Sequence, residues 1–544
     1  MRTPLKYIHR LELAPPVRRS LVAALVLIAV LVPARLALAS GGQLRLTVTD
    51  EKTGELLPCR LHLKNPAGRP RPIKGSAYFH DHVAFAGDIT LKLPKGQYTF
   101  EIEHGPEYTT QSGYFVIEDH ADDTKTVTLK RAVDMAAKGW WSSDLNVQRG
   151  VRDLELLMQA DDLHVAGVVD WKLGGKKPAA AKNAAGTAVK AAAGTAVKAD
   201  ASSTEPVRLG GGRFYFPRVG LDRRAGNDIL YLNFARPAEL SGADDGLSPL
   251  ALLKRARETD KAWIDVAHPF SWDLPVALAL GCVDSIELCH DYLGRETTRP
   301  TEGDGRRRDA QQLRAPWGNG LWSQQIYYHV INAGFRIPPS AGSGSGDVPN
   351  PIGYNRMYVY AGRELEPAAW WEAFRAGQVI VTNGPVIRLD VDGKPPGHVF
   401  ASPNGEPVKL EVFLTLSTRD PISYLEIVKD GQLHKSLRIE EWAKEGRLPE
   451  IVFEQSGWFL IRAVTDVEKT YRFASSAPYY VSIGAEPQRI SRASVQFFID
   501  WLAERRAMLE RGDKTGGKLS DADAAIFDEA ERFWNERLTK ANSP

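Results

Sequence analysis

From Gln43 to about Arg131 apolar and polar positions alternate in short runs, "LRLTVTD", "CRLHLKN", "ITLKLP", "YTFEIEH" and "KTVTLKR", separated by the turn segments "KTGE", "PAGRP" and "PKGQ". A period of two with turns at this spacing predicts a small antiparallel β-sandwich over 43–132. Residues 133–384 have a different texture. Buried-strand runs such as "HVAGVVDW", "WIDVAHPF" and "VDSIELCH" alternate with helical stretches such as "VRDLELLMQADDL" and "PLALLKRARETD", which predicts an α/β unit of parallel strands. Alternation returns over 385–484 in "VIRLDVDG", "VKLEVFLTL" and "WFLIRAVTD", predicting a second β-sandwich. The last segment, 485–544, is helical. Val495, Phe498, Trp501 and Leu502 share one stripe, and "SDAD" at 520–523 has capping-box spacing ahead of Ile526, Ala530, Phe533 and Trp534. This helical hairpin should pack on the body, since its aromatics would otherwise form an exposed apolar patch.

Two stretches fall outside this pattern. Residues 1–39 combine Arg18 and Arg19, the apolar run "LVAALVLIAVLV" and a closing "ALA", the layout of a cleaved signal peptide. The run is too short for a bilayer span, so export to the periplasm or beyond is expected, with no stable membrane span after cleavage. Residues 176–205 repeat "GTAVKA" within an Ala/Lys/Gly/Thr-rich stretch that has too few bulky side chains to be buried and reads as a disordered insertion.

Composition narrows the classes. With 544 residues, 43% of them hydrophobic, two to four packed units are expected. The net charge of +2 gives no reason to expect a nucleic-acid partner. Three cysteines leave at least one unpaired, and Cys59, Cys282 and Cys289 read as buried apolar side chains. No Gly-x-Ser-x-Gly elbow, Walker loop, dinucleotide fingerprint or zincin helix is present.

Candidate chemistry gathers in five places: "DLNVQ" (144–148), "GVVDW" (167–171), "VAHPF" (266–270), "VDSIELCHDY" (283–292) and "GSGSGD" (342–347). In this order they resemble the metal motifs of the PHP (polymerase and histidinol phosphatase-like) superfamily, and within it the CehA/McbA-like metallohydrolases, over Gly139 to about Gly484. The resemblance implies a distorted β/α barrel flanked by two β-sandwiches, the first similar to prealbumin-like or carboxypeptidase-regulatory-like domains. It also implies a metal centre at the strand ends. The family's Asp-Leu-His-x-His stands here as Asp144 to Gln148, with Asn146 and Gln148 in place of both imidazoles, and carboxamides are weak ligands for zinc-like ions. Asp170 is followed by Trp171 where a histidine is expected, and indole binds no metal. His268 matches a His-Pro strand end, Glu287 the nearest acidic position with His290 close behind, and "GSGSGD" keeps Ser343 and Asp347 of the closing motif without its histidine.

The implied metal candidates are therefore Asp144, Asp170, His268, Glu287 and His290, with Asn146, Gln148, Trp171, Ser343 and Asp347 lining the cleft. Two readings follow. One is an exported hydrolase with one divalent metal, zinc or manganese. The other is a noncatalytic binding module for carbohydrate, cell-envelope material or a small molecule, with no metal. His164 and His329 read as packing residues. Trp140, Trp141, Trp272, Trp317, Trp322, Tyr327 and Tyr328 serve either a sugar- or aryl-binding cleft or the core. His80 and His82 in "FHDH" read as surface residues of the first sandwich.

Overall fold

The structure, a computed structural model, describes residues 41–174, 205–237, 247–258, 262–484, 488–512 and 519–544. The expected signal peptide and residues 176–204 of the expected insertion lie outside them. The described chain is mixed α/β, mostly strands in several sheets, with eight α-helices. None of those helices is long and apolar enough to cross a membrane.

The first sandwich forms where the alternation predicts it, with one departure from the antiparallel expectation: Gly41–Asp50 runs parallel to Asp122–Leu129. A three-stranded sheet (Asp88–Pro94, Gly41–Asp50, Asp122–Leu129) faces a five-stranded one (Ala77–Phe79, His82–Phe85, Cys59–Lys64, Gly96–Glu103, Gln111–Ile117). Leu44, Leu46 and Val48 from one sheet and Leu61, Leu63, Val83 and Ile102 from the other share a single core. The opposite face of the five-stranded sheet is not solvated as the pattern suggests. Arg60, His62, His82 and Glu103 on that face are buried, because the rest of the chain covers it: Arg60 pairs with Asp161 and Arg295 with Glu103. The surface placement expected for "FHDH" thus holds for His80 and fails for His82, 3% exposed.

One hydrogen-bonded path then runs through the remaining body. It passes Pro339–Ala341, Ser285–Cys289, Trp263–Val266, Ile229–Leu232, Phe214–Arg223, Val165–Gly174, Trp140–Val147, Arg356–Tyr360 and Val379–Thr382 before entering the C-terminal strands Phe473–Ser476, Gly457–Val464, Tyr424–Lys429 and Gln432–Arg438. The boundary expected at 384/385 is therefore a change of core, where Ile387, Val412, Ile427 and Phe459 take over, without a break in the sheet. The expectation of all-parallel strands is also corrected. Ile229–Leu232 runs antiparallel to both neighbours, because a five-residue connection, 224–228, opening with the turn Arg224–Gly226, joins it to Phe214–Arg223 and is far too short for a parallel crossover. Two residues of that turn, Ala225 and Gly226, have positive φ. The other six strands on this path from Trp140–Val147 to Pro339–Ala341 share one direction, while the short Val207–Arg208, off the path, runs antiparallel to Phe214–Arg223; the C-terminal ends of the six collect on one side. There the chain after Pro339–Ala341 returns to the first strand: Gly344 N donates to Asn146 O at 2.9 Å and Gln148 N to Ser345 O at 2.8 Å.

The tail docks as expected. Ser520 Oγ caps Asp521–Thr539 by accepting from Asp523 N, while Trp534 is fully buried and its indole N–H donates to Pro275 O at 3.0 Å. The buried pair Arg505–Asp273, 2.7 Å, ties Arg492–Glu510 to the N-terminal end of Leu274–Ala279, the helix that carries Pro275. All three cysteines are buried and free, in agreement with the sequence reading.

Candidate functional site

Strand direction, with the return of the chain after Pro339–Ala341, brings eight of the ten sequence candidates to one end of the sheet, all but Asp170 and Trp171, together with three residues that the sequence reading missed. His268 follows Trp263–Val266, His290 follows Ser285–Cys289, and Asp144 and Asn146 lie on Trp140–Val147. Joining them are Arg223 at the end of its strand, Asp228 after the tight turn, and Asp291. His268 is 2% exposed and both of its nitrogens are engaged, Nδ1 with Asp228 Oδ2 at 2.8 Å and Nε2 with Asp291 Oδ1 at 2.6 Å. Burial disfavours the imidazolium, but the two carboxylates outweigh it and hold His268 up at about 9. It is a cation at neutral pH.

Arg223 supplies a second cation. Its Nε donates to Asp228 at 2.6 Å and one Nη to Asp291 at 3.0 Å, while the other Nη meets Asp347. Three carboxylates therefore surround one guanidinium. The sequence reading placed Asp347 on the cleft, and the structure places it at the rim of this ion-pair network.

His290 is arranged differently. Ser323 Oγ donates to Asn319 O at 3.1 Å, so it accepts from His290 Nε2 at 2.9 Å. That fixes the tautomer: Nδ1 is a bare lone pair, buried and unpartnered. One ligand atom each of His268, His290 and Asp291 lies within 4.8 Å of the others. Glu287 is fully buried with both oxygens unpartnered, and burial together with Asp265 and Asp291 pushes it well above the usual carboxyl range. Gly342 lets the chain approach it: a Cβ there would lie 2.3 Å from Glu287 Oε1 and 2.4 Å from Asn146 Cβ.

The other candidates have structural occupations. Asp144 accepts from Ser343 N (2.9 Å), Ser343 Oγ (2.5 Å), Gly353 N (2.8 Å) and Asn146 N (3.1 Å), which leaves little lone-pair capacity for a metal. Ser343 is thereby the clamp of this carboxylate. Asn146 Oδ1 accepts from Gln148 Nε2 at 2.9 Å, and Gln148 Oε1 accepts from Lys172. Asp170 points away to Arg218 and is exposed. Trp171 lies in the core against Tyr231 and Phe234 with its indole N–H on Phe234 O. Adjacent strand residues face opposite sides, and here neither joins the cluster. His164 packs as expected, buried with Nδ1 2.8 Å from Ser142 Oγ.

The resemblance implies a divalent metal, and the donors do not fit one as they stand. A free lone pair on His290 and the carboxylate of Asp291 are available, but His268 and Arg223 place two positive charges on the same carboxylates. A dication there would have to displace one of them.

A separate cleft of about 740 Å³ lies where the first sandwich meets the central and C-terminal strands. Charged side chains dominate its walls, among them Arg60, Lys64, Glu101, Arg295, Asp420 and Arg472. None of the ten sequence candidates lines it. Neither do the expected aromatics. Trp141, Trp272, Trp317 and Trp322 donate their indole N–H groups to backbone carbonyls, Trp140 belongs to the C-terminal core, and Tyr327 and Tyr328 are buried.

No protein-family model matches the chain, and no curated protein does. Among solved structures, the Bacillus anthracis TIE protein is 18% identical over 20% of this chain and 19% of that one, with a TM-score of 0.14. Fibronectin(III)-like modules of Clostridium thermocellum CbhA are 18% identical over 17% of this chain and 94% of theirs, with a TM-score of 0.13. At such scores neither likeness bears on fold or function.

Proposed function

We propose that this chain is an exported, noncatalytic relative of the PHP-type metallohydrolases, with the curled central sheet as its distorted barrel, and that it works as a binding module. The observation that carries the reading is Arg223: its guanidinium bridges Asp228, Asp291 and Asp347 where the resemblance asks for a metal. A guanidinium cannot generate a nucleophilic hydroxide, which is the service a metal performs for hydrolysis. The ligand volume is the charged cleft rather than the buried histidine cluster. A cleft walled by ion pairs favours polar ligands such as charged glycans or cell-envelope fragments over aryl compounds.

Metal titration of the mature chain after chelator treatment tests this. Arg223→Met should add a zinc or manganese site that His290→Ala then removes, whereas His290→Ala in the otherwise unaltered chain should change nothing. The unpartnered His290 Nδ1 and Glu287 carboxylate favour a second reading, a mononuclear hydrolase. That reading wins if His290→Ala or Glu287→Ala removes metal from the unaltered chain together with hydrolysis of an ester or phosphoester.

A further inference from the structure

The buried polar face of the first sandwich holds a second histidine cluster, set by strand register. His62 on Cys59–Lys64 stands directly opposite His82 on one neighbouring strand and Glu101 on the other. Opposed residues share a face with their Cβ atoms roughly 5 Å apart, so three ionisable side chains form a row across three strands. His80 and Asp81 are the two-residue turn between Ala77–Phe79 and His82–Phe85. That turn folds the Asp81 carboxylate onto the row: Oδ2 lies 3.2 Å from His62 Nδ1 and Oδ1 lies 2.9 Å from His82 Nδ1. The imidazoles, 5% and 3% exposed, have centroids 5.2 Å apart. One ligand atom of each of the three residues lies within 4.8 Å of the others.

We propose that His62, Asp81 and His82 bind one zinc-class divalent cation through both Nδ1 atoms and the carboxylate, with the fourth position open to the charged cleft. Two ligands each about 2.1 Å from a tetrahedral ion lie about 3.4 Å apart, so the two Asp81–imidazole separations, 3.2 and 2.9 Å, need to widen by a few tenths of an ångström. Two neutral imidazoles and a carboxylate suit zinc better than magnesium or calcium, which prefer all-oxygen shells. Three protein ligands leave the exchangeable position typical of open zinc sites, and His62 and Asp81 both line the cleft. The proton balance is explicit. In the metal-free arrangement each Nδ1–H donates to Asp81, and Arg60 Nε donates to His62 Nε2 at 3.1 Å. Coordination displaces the Nδ1 protons, and each neutral ring then carries its proton on Nε2, so His62 needs an acceptor there. Glu101 and Glu103 have oxygens within 4.8 Å of a His62 ring nitrogen, and Arg60 retains its pairs with Glu103 and Asp161. A carboxylate accepting the far N–H of a metal-bound histidine is the usual supporting arrangement.

The site is independent of the central cluster, and its test keeps the two apart. The full mature chain, stripped by chelator, is titrated with Zn²⁺ by calorimetry and with Co²⁺ by visible absorption, alongside thermal melting of each variant. One zinc per chain and the absorption of four-coordinate cobalt are expected. Asp81→Asn and His82→Gln should each weaken zinc binding at least tenfold, and His290→Ala should leave it unchanged. Asp81 lies on a turn, so its variant serves if His82→Gln melts early. Absence of zinc uptake, uptake indifferent to both substitutions, or uptake abolished by His290→Ala would overturn the proposal.

Discussion

Two histidine–aspartate clusters occupy opposite ends of the same design choice. Around His268 the carboxylates outnumber the imidazole and a protein arginine enters among them, so the charges cancel internally. Around His62 the arginine meets the far side of the cluster: Arg60 pairs with Glu103 and Asp161 and its Nε donates to His62 Nε2, while Asp81 faces the Nδ1 atoms of two imidazoles. The imidazoles differ accordingly. His268 is held charged at about 9, whereas burial pushes His82 down to about 3, the Asp81 hydrogen bond only partly opposing it. A motif search compares ligand identities, but the position of the nearest guanidinium decides which cluster has room for a dication.

The largest expected effect breaks the first half of that contrast. Arg223→Met leaves Asp228, Asp291 and Asp347 facing one another with only His268 to offset them. Removing one partner of a buried ion pair costs about 3–5 kcal/mol, and a loss of that size should appear in urea unfolding. In an Asp81→Asn background, which silences the His62 cluster, saturating zinc should restore part of it when Arg223→Met is present and none when Arg223 is intact, by preferential binding to the folded state. A loss below about 1 kcal/mol, the range of exposed pairs, would mean that the guanidinium is not neutralising the cluster.

Much of the fold was legible because alternation and helical stripes are local signals: the strands of the first sandwich and of the C-terminal region, and the capped tail helix at Ser520, follow from them. The antiparallel Ile229–Leu232 was not, since its direction depends on the tight turn after Arg223 rather than on the strand's own apolar run. Of the site, His268 and His290 were found by resemblance, and Asp291 stood in the same quoted segment beside His290. Arg223 and Asp228 belong to no motif and reach the cluster through the hairpin. His62 and His82 were hidden by the same alternation that predicted their strands. A polar face at period two reads as solvated, and contacts with distant segments, such as Arg60 with Asp161, bury it.

His329 calibrates both clusters, because its neighbours include no carboxylate. Nδ1 lies 3.0 Å from Ser494 Oγ and the ring stacks on Phe497 at 4.1 Å. Burial, with some help from Arg306, lowers it to about 4 from an ordinary 6.5. A folded-state value below the unfolded one means that the unfolded chain binds the extra proton, so stability is full above pH 6.5 and falls as the pH drops toward 4, by about 3 kcal/mol. His329→Asn should flatten that acid limb in pH-dependent unfolding. An unaltered limb would mean that tail docking is insensitive to this ring's charge.

Asp144 and Asp81 contrast at a smaller scale: one carboxylate is saturated by four protein donors, the other is held by two imidazoles. Asp144→Asn turns an acceptor into a mixed group among three N–H donors and a hydroxyl, and should cost about 1–3 kcal/mol in unfolding with no change in zinc stoichiometry. Loss of a bound metal in this variant would return Asp144 to the ligand list.

The smallest effect concerns the two positions where the resemblance first fails. Asn146→His with Gln148→His restores the missing imidazoles at alternate positions of one strand end, which face the same side. Three features limit the gain. Asn146 is 1% exposed, so a larger ring there must repack, at a cost of about 1–3 kcal/mol. Asp144 stays committed to its four donors. Arg223 still holds the carboxylates that a metal would need. Zinc affinity at this centre should therefore rise by less than tenfold, about 1.4 kcal/mol, when the pair is introduced alone. Combined with Arg223→Met, the same pair should add a larger increment, since the competing cation is gone. Calorimetric titration in an Asp81→Asn background, which silences the first cluster, reads the central one by itself. A large gain from the double variant with Arg223 intact would show that the histidines alone were limiting, and the resident guanidinium would lose its place as the reason the centre does not hold a metal.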